Sequence, residues 1–459
     1  MGDPTRKNPH NLPAELHRDL NLIILAVTFG MAYMTVYNGP SLNSFIRSLG
    51  GGDFVFAVIM AMPVLTGLLQ LVASAALQKA GRRKGMFIAA GLIQRLILLP
   101  VALVPIVVPE RFQGMRILLV LVLIGVNAGA QAFMSIIFNS WVGALVPNDI
   151  RGRYFSRRAL ISTVTSLIVA PLSGLFLDRV PGPNGYAILF GVVAVLGALD
   201  IVCFFWITDP PMVLPAASKP IHQRLLQPLR DRNYRQFILY ATFVQFSLNL
   251  AASFFTPYMR EYCHMSMLSI TVLTQMVGSA STILFIGRIG RMIDRFGTKT
   301  VLTVAAWAVT FLPLFWMFAT PGNYIVPILV VQLIAGILWP AFDMGLMNLS
   351  IWLAPEEDRP TYLAGYAFVM ALFGILPGQL LGGAVMEGFG GWLKAHPLAW
   401  FTGLPMAPFH LLLFLTFFGR LLATVFLLPR IHDADTRGTP WDVVRAFFVR
   451  EGCWLRKRA

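Results

Sequence analysis

Charge is scarce in this chain. Asp, Glu, Lys and Arg together make up 12% of its 459 residues, where a soluble domain carries about 25%. With 57% hydrophobic residues and a mean hydropathy of +0.70, so much apolar surface has no place in a water-soluble core, and the composition points to a polytopic membrane protein. Cysteine is nearly absent. Cys203, Cys263 and Cys453 are far apart and odd in number, which excludes a disulfide framework and a CxxC metal pair. The seven histidines form no HExxH, and no GxxxxGK[ST] occurs, so neither a zinc hydrolase nor an ATP-driven pump is supported. No metal or other cofactor is expected. Acidic residues are few: 21 against 36 basic ones, a net charge of +15. The cations sit in short stretches between apolar runs, and no basic, aromatic-rich patch stands apart from them, so nucleic acid is not an expected partner.

Long apolar runs are what the chain does have. A spanning helix needs about 20 mostly apolar residues, and twelve segments qualify: 20–46, 54–77, 85–109, 116–146, 158–178, 186–208, 236–260, 266–289, 300–319, 323–353, 362–386 and 407–429. The run after the polar first 19 residues is long and lacks a small-residue cleavage site, so it reads as a retained helix and not as a signal peptide. The longest polar interruption, rich in proline and charge, begins at Asp209 and separates two blocks of six helices. The expected organisation is a cytoplasmic segment 1–19, a six-helix bundle 20–208, a linker 209–235, a second bundle 236–430 and a basic tail 431–459. With both termini in the cytoplasm, 28 of the 36 cations fall inside and six outside. That split sets the orientation. The tail "WDVVRAFFVREGCWLRKRA" alternates apolar and basic residues and is either a short helix on the anionic inner leaflet or a solvated segment.

The two blocks repeat one another. "QKAGRRKG" (from Gln78) aligns with "DRFGTKTV" (from Asp294) at an offset of 216, and "VPNDIRGRY" (from Val146) with "APEEDRPTY" (from Ala354) at 208. The stretch "GRMIDRFGTKT", Gly290 to Thr300, resembles the G-x-x-x-D-R-x-G-x-K signature of the major facilitator superfamily, and lies where that family carries it, between the eighth and ninth helices. The first copy is degenerate, with Ser74, Gln78 and Lys79 in place of the Gly, Asp and Arg. The resemblance covers about residues 18–430. It implies an all-α fold of twelve transmembrane helices in two pseudo-symmetric six-helix bundles, and a secondary transporter working by alternating access, not an enzyme. It says little about the solute.

In that fold the first, fourth, seventh and tenth helices line a central cavity, and intramembrane polar groups are costly enough to need a reason. The fourth helix carries Asn127, Gln131, Ser135 and Asn139 at four-residue steps, one polar stripe. The seventh carries Gln245 and Asn249. The first offers Tyr33 and Tyr37 on one face with Asn38 beside them, and the tenth Trp339, Asp343 and Met347. Together these predict an amphipathic cavity; the alternative for each amide is a bond from helix to helix. Asp343 is the one carboxyl placed deep in a cavity helix. A carboxyl in low-dielectric surroundings holds a proton more readily, which makes Asp343 the candidate for proton coupling; the alternative is an Asp that only packs its helix. Arg95 and Asp200 match in depth on the third and sixth helices and read as a structural ion pair. Arg420 has no evident carboxylate partner and either snorkels or meets carbonyl groups.

The family's layout sets the second helix against the eleventh and the fifth against the eighth. A basic loop (Lys79, Arg82, Arg83, Lys84) would then meet an acidic one (Glu356, Glu357, Asp358), and Asp294, beside Arg295 in the same gate loop, would meet Arg157 and Arg158. This predicts a cytoplasmic gate held by a charge network, each exposed pair contributing about 0–1 kcal/mol. The expected protein is a monomer in the plasma (inner) membrane, in contact with lipid, moving a small organic solute with or without protons. Alternatives are a drug or lipid exporter and a sensor that keeps the fold without flux. A membrane-embedded enzyme would need clustered acids, histidines or metal ligands at one face, and the outside loops hold too few.

Overall fold

The computed structural model describes residues 14–67, 69–70, 73, 77, 83–147, 150–210, 227–356, 358–398, 406–432 and 437–448, and among these no strand occurs. Eleven of the described helices are long and apolar enough to cross a membrane. In chain order the main helices are α1 Ala14–Tyr37, α2 Asp53–Gly67, α3 Lys84–Val107, α4 Gln113–Leu145, α5 Arg151–Arg179, α6 Pro183–Cys203, α7 Arg232–Tyr262, α8 Met267–Phe296, α9 Thr298–Trp316, α10 Ile325–Trp352, α11 Thr361–Ala395, α12 Pro408–Arg430 and a short terminal helix α13 Pro440–Phe448, with a nine-residue helix Pro40–Ser48 following α1. α2 is the shorter apolar helix; residues 69–70, 73 and 77 beyond it are also helical, in line with the second of the twelve expected spans.

Local chemistry sets the helix ends. The Asp231 carboxylate accepts from the Asn233 and Tyr234 amides at 2.9 and 3.0 Å and starts α7, taking up donors that have no partner within the helix. Gly297, at φ 85°, turns the chain between α8 and α9, a left-handed conformation that favours glycine; this is the second glycine of the repeated loop motif. Prolines at 63, 105, 171, 313 and 340 lie inside helices, tolerated in membrane spans where neighbours re-satisfy the freed carbonyls. π-helical turns interrupt α7, α8, α11 and α12 at Tyr258–Tyr262, Val272–Val277, Met370–Ile375 and Ala423–Leu427.

The chain forms two compact units. The first comprises Met1–Gly51, Met62–Ala216 and Ser266–Thr271; the second Gly52–Ala61, Ala217–Met265 and Val272–Ala459. Each sequence half thus lends the start of one helix to the other unit: the start of α2 joins the second, the start of α8 the first. In the first unit α1 packs on α5 and α6, and α3 on α4 and α6; in the second α7 packs on α11 and α12, and α9 on α10 and α12. The same partners recur six helices later, which is the internal repeat expressed as packing.

The first unit's core is aromatic near the chain terminus. Phe87, Trp141 and Phe204 are buried against one another, with ring centroids 4.5–5.6 Å apart, and the Trp141 indole donates to the Thr208 carbonyl at 2.8 Å. In the second unit α13 seats Val443, 2% exposed, and stacks Phe447 on Phe285, while Arg288 donates to the Ala446 and Phe447 carbonyls. The described part of the tail is therefore a helix docked on its own unit; residues 449–459 lie outside the described residues.

Candidate solute and proton residues

In the first unit Arg95 and Asp200 form a 2.7 Å ion pair, 4% and 8% exposed at their side chains. The Arg95 guanidinium lies 4.5 Å over the Tyr33 ring. The Tyr33 hydroxyl donates to the Gln94 carbonyl at 2.7 Å, and the Asn127 amide donates to both that hydroxyl and that carbonyl at 2.7 Å. Asn127 and Tyr33 are fully buried, and Tyr37 stacks on Tyr33 at 5.7 Å and is buried as well. Here the structure departs from the expected stripe. Asn127 and Tyr33 are spent on each other and on the Gln94 carbonyl beside the ion pair, with Tyr37 stacked on Tyr33, since a buried amide or hydroxyl needs a hydrogen-bond partner. Further along α4, Gln131 and Ser135 are half-buried and Asn139 exposed; Asn38, just after α1, is exposed.

The second unit holds a different polar set. Asn249 donates to the Gln245 carbonyl at 2.8 Å and to its side-chain oxygen at 3.3 Å, and accepts from Gln379 of α11 at 3.4 Å. All three are half-buried. Gln379 lies outside the four helices expected to line the cavity, although a glutamine inside the apolar run "GILPGQLLGG" is a signal the sequence carries. Asp343, in the second half of the 28-residue helix α10, is exposed and close enough to act electrostatically on the half-buried Tyr366 of α11. Trp339 lies one turn earlier, edge-on to Phe342 at 5.8 Å. Met347, one turn later, is 55% exposed. The apolar groove lined by Leu239, Phe243, Leu422, Phe426 and Leu427 contains none of these polar groups.

Arg420 of α12 donates to the Val309 carbonyl at 2.9 Å and lies 5.6 Å over the Trp339 ring. Of the two readings offered for it, the carbonyl contact is the one observed. Arg420 lies on the helix equivalent to the one that carries Asp200 and reaches a carbonyl of α9, the helix equivalent to the one that carries Arg95.

Several of the charges expected to form the gate have partners within their own unit. Arg83, 2% exposed, bonds the Asp209 carboxylate at 3.0 Å, the Ser140 carbonyl at 3.0 Å and the Pro210 carbonyl. The Lys84 ammonium donates to the Ile207 carbonyl at 3.0 Å. Asp358 accepts from Gln227 at 2.8 Å, and Glu356 lies 3.7 Å from Arg359. Arg158 covers the Phe138 ring and Arg295 the Phe296 ring; Arg157 and Asp294 are exposed. Lys79, Arg82 and Glu357 lie outside the described residues.

The family profile of the Major Facilitator Superfamily matches residues 22–376. The chain belongs to that superfamily. Solved major facilitator structures have the same fold. A point mutant of the nucleoside transporter NupG superposes with a TM-score of 0.70 at 13% identity, over 90% of this chain and 100% of that one. A bacterial homologue of the human lysosomal transporter Spinster gives 0.61 at 15%, over 95% and 98%. A D-xylose–proton symporter gives 0.60 at 14%, over 93% and 99%. No curated protein matches the sequence. This chain is accordingly a multi-pass membrane transporter and not an enzyme.

Proposed function

We propose that the chain is a secondary transporter of a small organic solute, exposing one site to alternate sides of the membrane, with Asp343 carrying a coupling proton. The observation that carries this reading is the exposed carboxyl of Asp343 within a membrane-length helix. A carboxyl facing lipid there is too costly to keep; one facing water and solute can bind and release a proton. Trp339 offers an aromatic wall one turn away, and the amides of Gln245, Asn249 and Gln379 offer donors and acceptors suited to a hydroxylated or amide-bearing solute. The solved relatives include a nucleoside transporter and a sugar–proton symporter, consistent with a polar solute. The loop cations favour both termini in the cytoplasm, and the plasma (inner) membrane is the proposed location. A single chain supplies both repeats, so a monomer suffices.

The test is uptake into proteoliposomes over a panel of polar organic solutes, with and without an inward proton gradient. Gradient-driven accumulation should appear in the wild type and fall by roughly tenfold or more in Asp343→Asn, while gradient-free exchange of the same solute persists. Equal accumulation by the variant under every gradient refutes proton carriage by Asp343. Solute binding without flux in the wild type makes the protein a sensor.

A further inference from the structure

Two glycine–acid pairs stand at the ends of α5 and α11, at the face opposite the chain termini in the order of crossings. In the first unit "GLFLD" (Gly174 to Asp178) closes on the start of α8. The Asp178 carboxylate accepts from the Met267 and Leu268 amides at 2.9 and 2.8 Å. A Cβ at Gly174 would come within 2.8 Å of the Met267 carbonyl, 2.9 Å of the Leu268 nitrogen and 2.7 Å of the Thr271 hydroxyl. In the second unit "GAVME" (Gly383 to Glu387) closes on the start of α2. The Glu387 carboxylate accepts from the Phe54 amide at 2.9 Å. A Cβ at Gly383 would press on the Ala57 side chain and come within 3.1 Å of the Phe54 Cα and 3.2 Å of the Asp53 carbonyl.

The correspondence holds residue by residue. Gly383 and Glu387 each follow their counterparts by 209 positions. The receiving residues 267, 268 and 271 each follow 53, 54 and 57 by 214. In both places a glycine lets the backbones touch, and a carboxylate one turn later takes up free amides at the start of the opposing helix. That amide end is positive, so a carboxylate there forms charge-assisted hydrogen bonds. Each acid comes from the other sequence half than the amides it holds. Repetition of the whole arrangement through the internal repeat argues against chance packing.

We propose that these are paired clasps, the joints that hold α2 to α11 and α5 to α8 at this face in the conformation described, and that they part when the transporter opens there. The inference rests on the transporter reading but not on the solute or on Asp343. Gly174 and Gly383 set how close the helices come, and Asp178 and Glu387 set how firmly they stay. The apolar flanks of α2 and α8 alone would slide.

The test needs no solute. In a background with the three native cysteines changed to Ser, a cysteine is placed at Ala57 or at Thr271, both fully buried, and at Ala26, buried in the first unit's core, as a control. Labelling by a membrane-impermeant thiol reagent in sealed vesicles of each orientation is then measured. The Asp178→Ala/Glu387→Ala double variant should raise labelling at 57 and 271 by about tenfold or more, the population shift expected on losing several charge-assisted hydrogen bonds, with position 26 unchanged. Asp178→Glu/Glu387→Asp, which keeps both charges, should stay near the parent, and Gly174→Leu/Gly383→Leu should act like the double alanine variant. Labelling unchanged in both the alanine and the leucine variants overturns the proposal. So does a rise in the charge-keeping variant equal to that in the alanine one, or a rise that includes position 26 in every variant.

Discussion

Removing the Asp200 carboxylate would leave the Arg95 guanidinium buried with no counter-charge. The two side chains meet at 2.7 Å, 4% and 8% exposed, and the surroundings leave little room to relax: a Cβ on Gly30 would lie 2.6 Å from the Asp200 oxygen, and one on Gly197 2.7 Å from the Arg95 stem. Breaking such a pair from one side costs about 3–5 kcal/mol, most of it the stranded charge. The Tyr33 ring under the guanidinium returns only about 0.5–2 kcal/mol of that. Asp200→Ala and Arg95→Met should each lower the midpoint of thermal unfolding in detergent by on the order of 10 °C. The double variant strands neither charge and should be no less stable than the milder single, giving a clear coupling energy. The measurement is loss of the monodisperse peak on size exclusion after heating, with transport checked below the midpoint. Simple addition of the two single effects would refute the argument, because independent costs mean that the pair is not what holds these helices. A transport loss without a stability loss would move Arg95 and Asp200 out of the framework and into the transport cycle.

Two further outcomes can be checked by the same heating assay. Arg83→Ala should cost about 2–3 kcal/mol, since it removes charge-assisted bonds to Asp209 and to two carbonyls, and Arg83→Lys should not restore it, because an ammonium cannot span the same fork of acceptors; full rescue by Lys would contradict the geometry. Arg420→Met should be neutral or stabilising by about 1–4 kcal/mol, as replacing a buried cation with no carboxylate partner among the described residues removes a desolvation cost; a loss of several kcal/mol would mean that the Val309 carbonyl and the Trp339 ring satisfy it better than their number suggests.

Hydrophobic length, loop cations and repetition are properties of the chain itself. The long apolar runs, the two-block layout and the repeated loop motif follow from "GRMIDRFGTKT", the linker after Asp209 and the paired turns, because a bilayer demands satisfied backbones and so leaves an apolar 20-mer little choice but a helix. The depth match of Arg95 and Asp200 was legible for the same reason: rise per residue is fixed, so equal distance from a loop means equal height. What each polar side chain touches was not legible. Asn127 and Gln245 read alike as amides in apolar helices, yet the first is spent on Tyr33 and the Gln94 carbonyl beside an ion pair and the second stands half-buried beside Asn249 and Gln379. Arg83 reads as free to reach an acidic loop in the other half of the chain, but Asp209, brought close by the packing of α3 on α6, takes it. The glycine–acid pairs at 174–178 and 383–387 are plain in the letters, but nothing in a one-dimensional pattern says that a glycine faces a particular helix start. Periodicity and hydropathy fix a helix's existence, length and depth; its rotation about its own axis and its neighbours come from side-chain packing across many helices at once, and only the tertiary structure decides which buried polar atoms meet.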